Sequence, residues 1–414
     1  MAVDLFANRG VPEDELHPNY RDVRDAQHFE PARSLIRELQ VDFDDPDGNF
    51  VEQFQTAGFD SRTFEFFLNA MFVDAGFEVD RSHNRPDFML TKDGMSAGVE
   101  AVTASPASNA GVRPYKHGPT NRSPEEQDEY LRHDLAIRLG SPLFSKLQKR
   151  YWEEPHLANQ PFVIAIQDFH EAGSLARSGA ALGHYLFGIR QRWYHERDGT
   201  LVITEQEIDA HKNRVKEIPS GFFKQPSSEF VSGVLFSNSG TLPKFNRMGF
   251  QGKYGTPSLR MLRWGLKYRH DPNASLPEPF VYEVGNPTEG LETWSEGTVY
   301  FHNPNALHPL PIGWLGASDD ECLVDGRVES AMKGEFHPYM SNMAIFAGDI
   351  ANSDLQKFAD RKFWELDRYF PQKHPWLFRI HWVLFVACRK VKRVLLLGLL
   401  RLLEALTGRG GQRH

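Results

Sequence analysis

Asp87 and Glu100 are the residues of this 414-residue chain whose types and spacing most directly offer chemistry. They flank Asp93-Gly94, a dipeptide that favours a two-residue hairpin turn because both of its positions require positive φ. With the turn placed there, Lys92 faces Met95 and Asp87 falls opposite Glu100. Both carboxylates then share one face with Met89, Thr91, Ser96, Gly98 and Val102. Phe88, Leu90, Ala97, Val99 and Ala101 form the other, apolar face. Like charges directly opposite one another on adjacent strands repel. Such a pair either turns into water or holds a cation, and carboxylate oxygens at this separation suit Mg2+ or Mn2+. A one-residue bulge would undo the arrangement by flipping one strand's face.

The elements that must carry this pair follow from local pattern. Residues 60–76 predict a helix, with Asp60 or Ser61 as its cap, Gly76 as its end, and Phe64, Phe67, Leu68, Met71, Phe72 and Ala75 as its buried stripe. Residues 77–80, 87–91 and 96–103 predict three strands. A polar loop over 104–123 precedes a helix from about 124, expected to break at Gly140 and restart at Ser141-Pro142. Residues 161–169 predict a buried strand, 174–190 a helix and 230–237 another strand. The order is helix, three strands, helix, strand, which specifies an α/β unit with a mixed sheet. Further strands are predicted at 279–284, 298–302 and 343–346, and a helix near 31–40.

Arg85-Pro86-Asp87, then Glu100 on the next strand, with Glu65 on the preceding helix, resembles the PD-(D/E)XK nuclease superfamily. The resemblance covers roughly residues 60–240. It implies a restriction-endonuclease-like core in which Asp87 and Glu100 bind Mg2+ or Mn2+, Glu65 supports them, and water attacks a phosphodiester. The chain departs from the pattern at Val102, where the motif lysine would stand. Lys92 lies on the opposite face, about 17 Å along the strand at 3.3 Å per residue, and cannot replace it. Superfamily members also carry this charge on the following helix, where Lys146 and Lys149 share a face. Either fills the role on this reading; if neither does, the chain is a nuclease relative that binds without cutting.

Other constellations compete with bland readings. Arg113, Lys116, His117 and Arg122 follow Glu100 in a loop suited to tracking a phosphate backbone or simply to being solvated. Lys149 is grouped with them as a nucleic-acid contact. Lys244, Arg247, Lys253, Arg260, Arg263, Lys267 and Arg269 interleave with Phe245, Phe250, Tyr254, Trp264 and Tyr268, either as a base-stacking surface or as core. Asp168, His170 and Glu171 at a strand end, and His302 with His308 in a loop, match no metal-ligand signature. A phosphate loop of the Gly-x-x-x-x-Gly-Lys-Ser/Thr type is absent, as is a Gly-x-Ser-x-Gly elbow.

Composition bounds the rest. Apolar residues make up 40% and charged residues 25%, enough for a packed core and against wholesale disorder. Two cysteines, Cys322 and Cys388, exclude a disulfide framework and a cysteine-based zinc site, and point to a reduced, cytoplasmic protein. The first ten residues have no apolar signal core, and no run of 18 apolar residues predicts a membrane span. The net charge of −8 hides a polarised chain. Residues 361–414 carry 12 Lys and Arg against 3 Asp and Glu, whereas the first 60 carry 5 against 14. Polyanion binding must therefore be local.

The predicted organisation is an acidic N-terminal extension (1–59), a nuclease-like α/β core (60–240), a Gly-, Pro- and aromatic-rich α+β region (241–360) and a basic, apolar helical segment (361–414). Residues 376–406 are too broadly apolar for a free helix, so a partner, a second copy, the chain's own body or an anionic membrane should cover them. The expected function is a metal-dependent nuclease acting on nucleic acid, DNA before RNA, in genome defence or DNA processing. Two alternatives stay open: an inactive nuclease-fold module that binds nucleic acid or a protein, and a scaffold attached to a membrane by its C-terminal helix.

Overall fold

The computed structural model describes residues 4–7, 9–43, 48–105, 122–171, 173–286, 288 and 291–369. Three helices open the chain: α1 (Pro18–Asp25), α2 (Glu30–Leu39) and α3 (Phe50–Gln55). The long α4 (Phe59–Asp74) follows, then β1 (Glu78–Asp80), β2 (Phe88–Lys92) and β3 (Met95–Ala104). α5 (Pro124–Glu129) runs through one wider turn into α6 (Leu135–Leu147), and β4 (Phe162–Asp168) and α7 (Ala180–Phe187) come next. Two hairpins, β5 (Ile189–His195) with β6 (Leu201–Glu207) and β7 (Ala210–Lys212) with β8 (Glu217–Pro219), precede β9 (Gly233–Ser237) and α8 (Leu242–Gln251). The remainder is β10 (Leu259–Lys267), β11 (Glu278–Glu283), β12 (Thr298–His302), β13 (Asp319–Val324), β14 (Arg327–Met332), β15 (Pro338–Ala347) and α9 (Asn352–Tyr369).

The architecture is mixed α/β around an eight-stranded mixed sheet ordered β1-β2-β3-β4-β9-β12-β13-β14. β3, β4 and β9 are mutually parallel and central, so they are covered on both faces. Accordingly all seven residues of β4 are buried, as the unbroken apolar run there requires. On one face, α4 sets Phe64, Phe67, Leu68, Met71 and Phe72 against Phe88, Leu90, Val99 and Ala101. On the other, α6 and α7 pack Leu139, Leu143, Leu182 and Leu186 against Ile164, Ile166 and Phe236.

Several expectations hold in detail. Asp93 and Gly94 both take positive φ, 52° and 76°, and the β2–β3 register runs from Lys92↔Met95 to Phe88↔Val99. α4 ends where Gly76 takes φ 81°, with the Phe77 N–H bonded to the Phe72 carbonyl, a left-handed cap that glycine supplies without strain.

Others are corrected. Gly140 does not break a helix: α6 runs through it because a Cβ there would meet the Tyr185 ring at 2.7 Å, so the glycine lets α7 approach. Pro142 sits inside that helix, where Ser141 Oγ donates to the Ile137 carbonyl. The helix expected over 174–190 is confined to α7, and β5 begins at Ile189. The first 59 residues are not peripheral, since Tyr20, Ile36, Phe50 and Phe54 belong to the same apolar core as α4. The boundary near 240 does not interrupt the sheet, because β12, β13 and β14 extend it. A separate three-stranded sheet, β11-β10-β15, completes the C-terminal half. No helix among the described residues is long and apolar enough to cross a membrane. Residues 376–406 lie outside the described residues.

Candidate active site

The β2–β3 hairpin brings Asp87 and Glu100 together as the turn chemistry demands. The Asp87 N–H donates to Glu100 Oε2 at 3.3 Å, and Asp87 Oδ2 accepts from the Ala101 N–H at 2.7 Å. Burial, then the negative charges of Glu65 and Glu100, push the Asp87 carboxyl well above the usual carboxylate range. Glu100 is 5% exposed. Its Oε1 accepts from the Lys146 ammonium, carried in from α6, and from the Tyr151 hydroxyl at 2.7 Å. Tyr151 is itself held neutral by burial and by the adjacent Glu100, so it acts as a donor.

Glu65 reaches the same corner from α4. It pairs with Arg62 at 2.8 Å and with Arg81 at 3.4 Å. Arg81 follows β1 and lies flat on the Phe43 and Phe88 rings, 3.9 and 4.7 Å from their centroids. Burial lowers its guanidinium pKa, and Glu65 opposes that shift. The loop carrying Pro86 is fixed from outside by Arg85–Glu154 at 2.6 Å and by His156 Nε2 on the Arg85 carbonyl at 2.9 Å.

Asp87, Glu100, Lys146 and Glu65, singled out from the sequence, thus converge. Lys149 is exposed at the end of α6, and Lys92 donates to the Ala75 carbonyl at 2.7 Å, far from the pair. Arg122 forms a bidentate pair with Glu171 at 2.8 and 3.0 Å, so its guanidinium is engaged within the chain. Arg113 and Lys116 lie outside the described residues. Arg62, Arg81 and Tyr151 had no local signal; only tertiary packing joins them to the carboxylates.

Comparison with known proteins is brief. No family model, curated protein or solved structure matches the chain.

The donor set was weighed against a divalent cation. Among the described residues no group of three or more His, Cys, Asp or Glu side chains is arranged to hold a metal ion. The chain therefore offers a pair, Asp87 and Glu100, with Glu65 already committed to two arginines. Mg2+ is held by one or two carboxylates, water and substrate phosphate rather than by an all-protein cage. The unrelieved repulsion at Asp87 is the relation such an ion would neutralise, so the residues fit it.

The remaining polar candidates are satisfied internally. Asp168 bonds His170, whose Nε2 meets the Tyr130 hydroxyl at 2.5 Å, and Glu171 pairs with Arg122 and Arg177. The two arginines hold Glu171 down at about 2 against the upward pull of burial. His302 bonds Asp320 at 2.7 Å.

Proposed function

We propose that the chain is a metal-dependent nuclease of the PD-(D/E)XK type. The observation that carries this is Lys146, delivered by α6 onto the carboxylate of Glu100, in the role the absent motif lysine would fill at Val102. The order α4, β1–β3, α5–α6, β4 adds support.

Asp87 and Glu100 would hold Mg2+ or Mn2+, which supplies Lewis acidity toward a phosphoryl oxygen and toward water. Tyr151 fixes the Glu100 carboxylate by donating to Oε1. Lys146 places positive charge beside the site where negative charge develops on the phosphate, the kind of preorganised stabilisation that favours a transition state over its ground state. Glu65, clamped by Arg62 and Arg81, holds a fixed negative potential at the back of the pair.

The test is incubation of purified protein with Mg2+ or Mn2+ and single-stranded DNA, duplex DNA or RNA. Metal-dependent cleavage lost in both Asp87→Asn and Lys146→Ala supports the proposal. Absence of cleavage on every substrate sinks it. The 5% exposure of Glu100 favours a second reading, a nuclease-fold module that binds nucleic acid or a protein without cutting. Retained DNA binding without cleavage would distinguish it.

A further inference from the structure

The basic and aromatic stretch that begins at Lys244 does not form a surface. Lys244, Arg247 and Arg263 are buried with Glu292 and Glu296 in one ion-pair cluster. Three cations face two carboxylates, which leaves one positive charge in excess. Their neighbours force Glu292 to remain ionised, far below its ordinary range. A buried charge without a counter-ion is costly, and a built cluster of this kind is completed by an anion.

A cavity of about 420 Å³ adjoins the cluster and is lined by both Arg247 and Arg263. Its size falls in the range of roughly 300–1,000 Å³ typical of small-molecule sites. Arg263 is 2% exposed; its Nη1 serves Tyr282 and Glu296, and its buried Nε has no partner. Thr63, also 2% exposed, lines the same cavity with an unpartnered Oγ1. The ten-residue helix α8 starts at the cavity wall, at Thr241 and Leu242, and no side chain caps it. Its positive end therefore adds to the two unpaired donors.

We propose that this cavity binds a small phosphate-bearing molecule of the nucleoside monophosphate class. The phosphate supplies the missing negative charge for the Arg263 end. Phe29, Phe59 and Phe169 line the cavity too and offer apolar faces to a planar base. Asp22 and Asp60 are also on the wall; they disfavour a bare phosphate but accept hydrogen bonds from ribose hydroxyls. Asp87, Glu100, Glu65 and Lys146 do not line it, so the proposal stands apart from the carboxylate pair.

The experiment is calorimetric and thermal-shift titration of the full-length chain with the four ribonucleoside 5′-monophosphates, the parent nucleosides and inorganic phosphate. At least one monophosphate is expected to bind one per chain, about tenfold or more tighter than its nucleoside, because charge-assisted hydrogen bonds are lost with the phosphate. Inorganic phosphate should compete more weakly. Thr63→Val should fold with an unchanged or higher Tm, since it removes a hydroxyl without a partner, and should weaken the monophosphate by about fivefold. Asp87→Asn should bind it as the unaltered chain does, which separates this test from that of the nuclease proposal. No saturable binding by any monophosphate, equal binding of nucleoside and nucleotide, or an unaffected Thr63→Val variant would overturn the proposal.

Discussion

The Tyr151 hydroxyl and the Lys146 ammonium meet on a single atom, Oε1 of Glu100, leaving Oε2 turned toward Asp87. One carboxylate is thereby divided into an anchored oxygen and an available one. The lysine and tyrosine lie five residues apart around the end of α6, so a single stretch of chain sets the orientation of Glu100.

A divalent cation should stabilise the fold through Asp87. Mn2+ at about 100 times its Kd should add about 2.7 kcal/mol by mass action. Asp87→Asn should lose most of that gain. Thermal melts with and without metal check it, and an equal shift in both proteins would remove Asp87 from the site.

The same residue sets a pH dependence in metal-free protein. Its folded-state pKa is raised above the unfolded value of about 3.9, so its contribution to stability is full below that value and is lost as pH rises through the folded value. Stability should fall with pH by up to about 1.4 kcal/mol per unit in that window, the limit for one proton. Urea melts of Asp87→Asn should lack this component, and saturating Mn2+ should suppress it in the unaltered chain.

Lys146→Ala should reduce cleavage by about 100- to 1,000-fold while the metal-induced Tm shift persists, because the ammonium acts on developing charge rather than as a ligand. Lys149→Ala should cut normally. Single-turnover assays beside thermal melts separate the two lysines, and a normal rate for Lys146→Ala would remove it from the role.

Gly98→Ala should cost about 1–3 kcal/mol, the range for forcing extra volume into a packed core. The new Cβ would lie 2.5 Å from Leu157 Cδ1 and 3.0 Å from Pro86 Cγ. Pro86 precedes Asp87, so the metal-induced shift should shrink as well; a full-sized shift would show that the loop gives way without moving the carboxylate.

Glu292→Gln should destabilise by about 3–5 kcal/mol, because it strips the shared counter-charge from Lys244, Arg247 and Arg263. Urea titration reads this directly.

The hairpin was legible because it depends on local rules. Two residues with positive φ set a register, and period-two alternation sets the faces. α4 and β4 were legible for the same reason, as an apolar stripe and an unbroken apolar run. The misreadings share a different cause. Gly140 and Pro142 look like breakers in isolation, and only Tyr185, 45 positions away, explains the glycine. Lys244 and Arg263 looked like surface cations because their carboxylate partners come from residues 292 and 296. Arg81 escaped notice because its guanidinium pairs with a helix that precedes it and rests on rings that no periodicity links to it.

The Asn246 side chain accepts from the Ala32 N–H, a contact spanning 214 positions between α8 and α2. During synthesis at about 5–20 residues per second, Asn246 leaves the ribosome roughly ten to forty seconds after Ala32. Throughout that interval the phenylalanine-rich α4 has neither α8 nor the later strands to cover it. The nascent chain therefore carries a long-lived sticky intermediate, and its yield in a cell should depend on chaperone capacity more than on the stability of the finished fold.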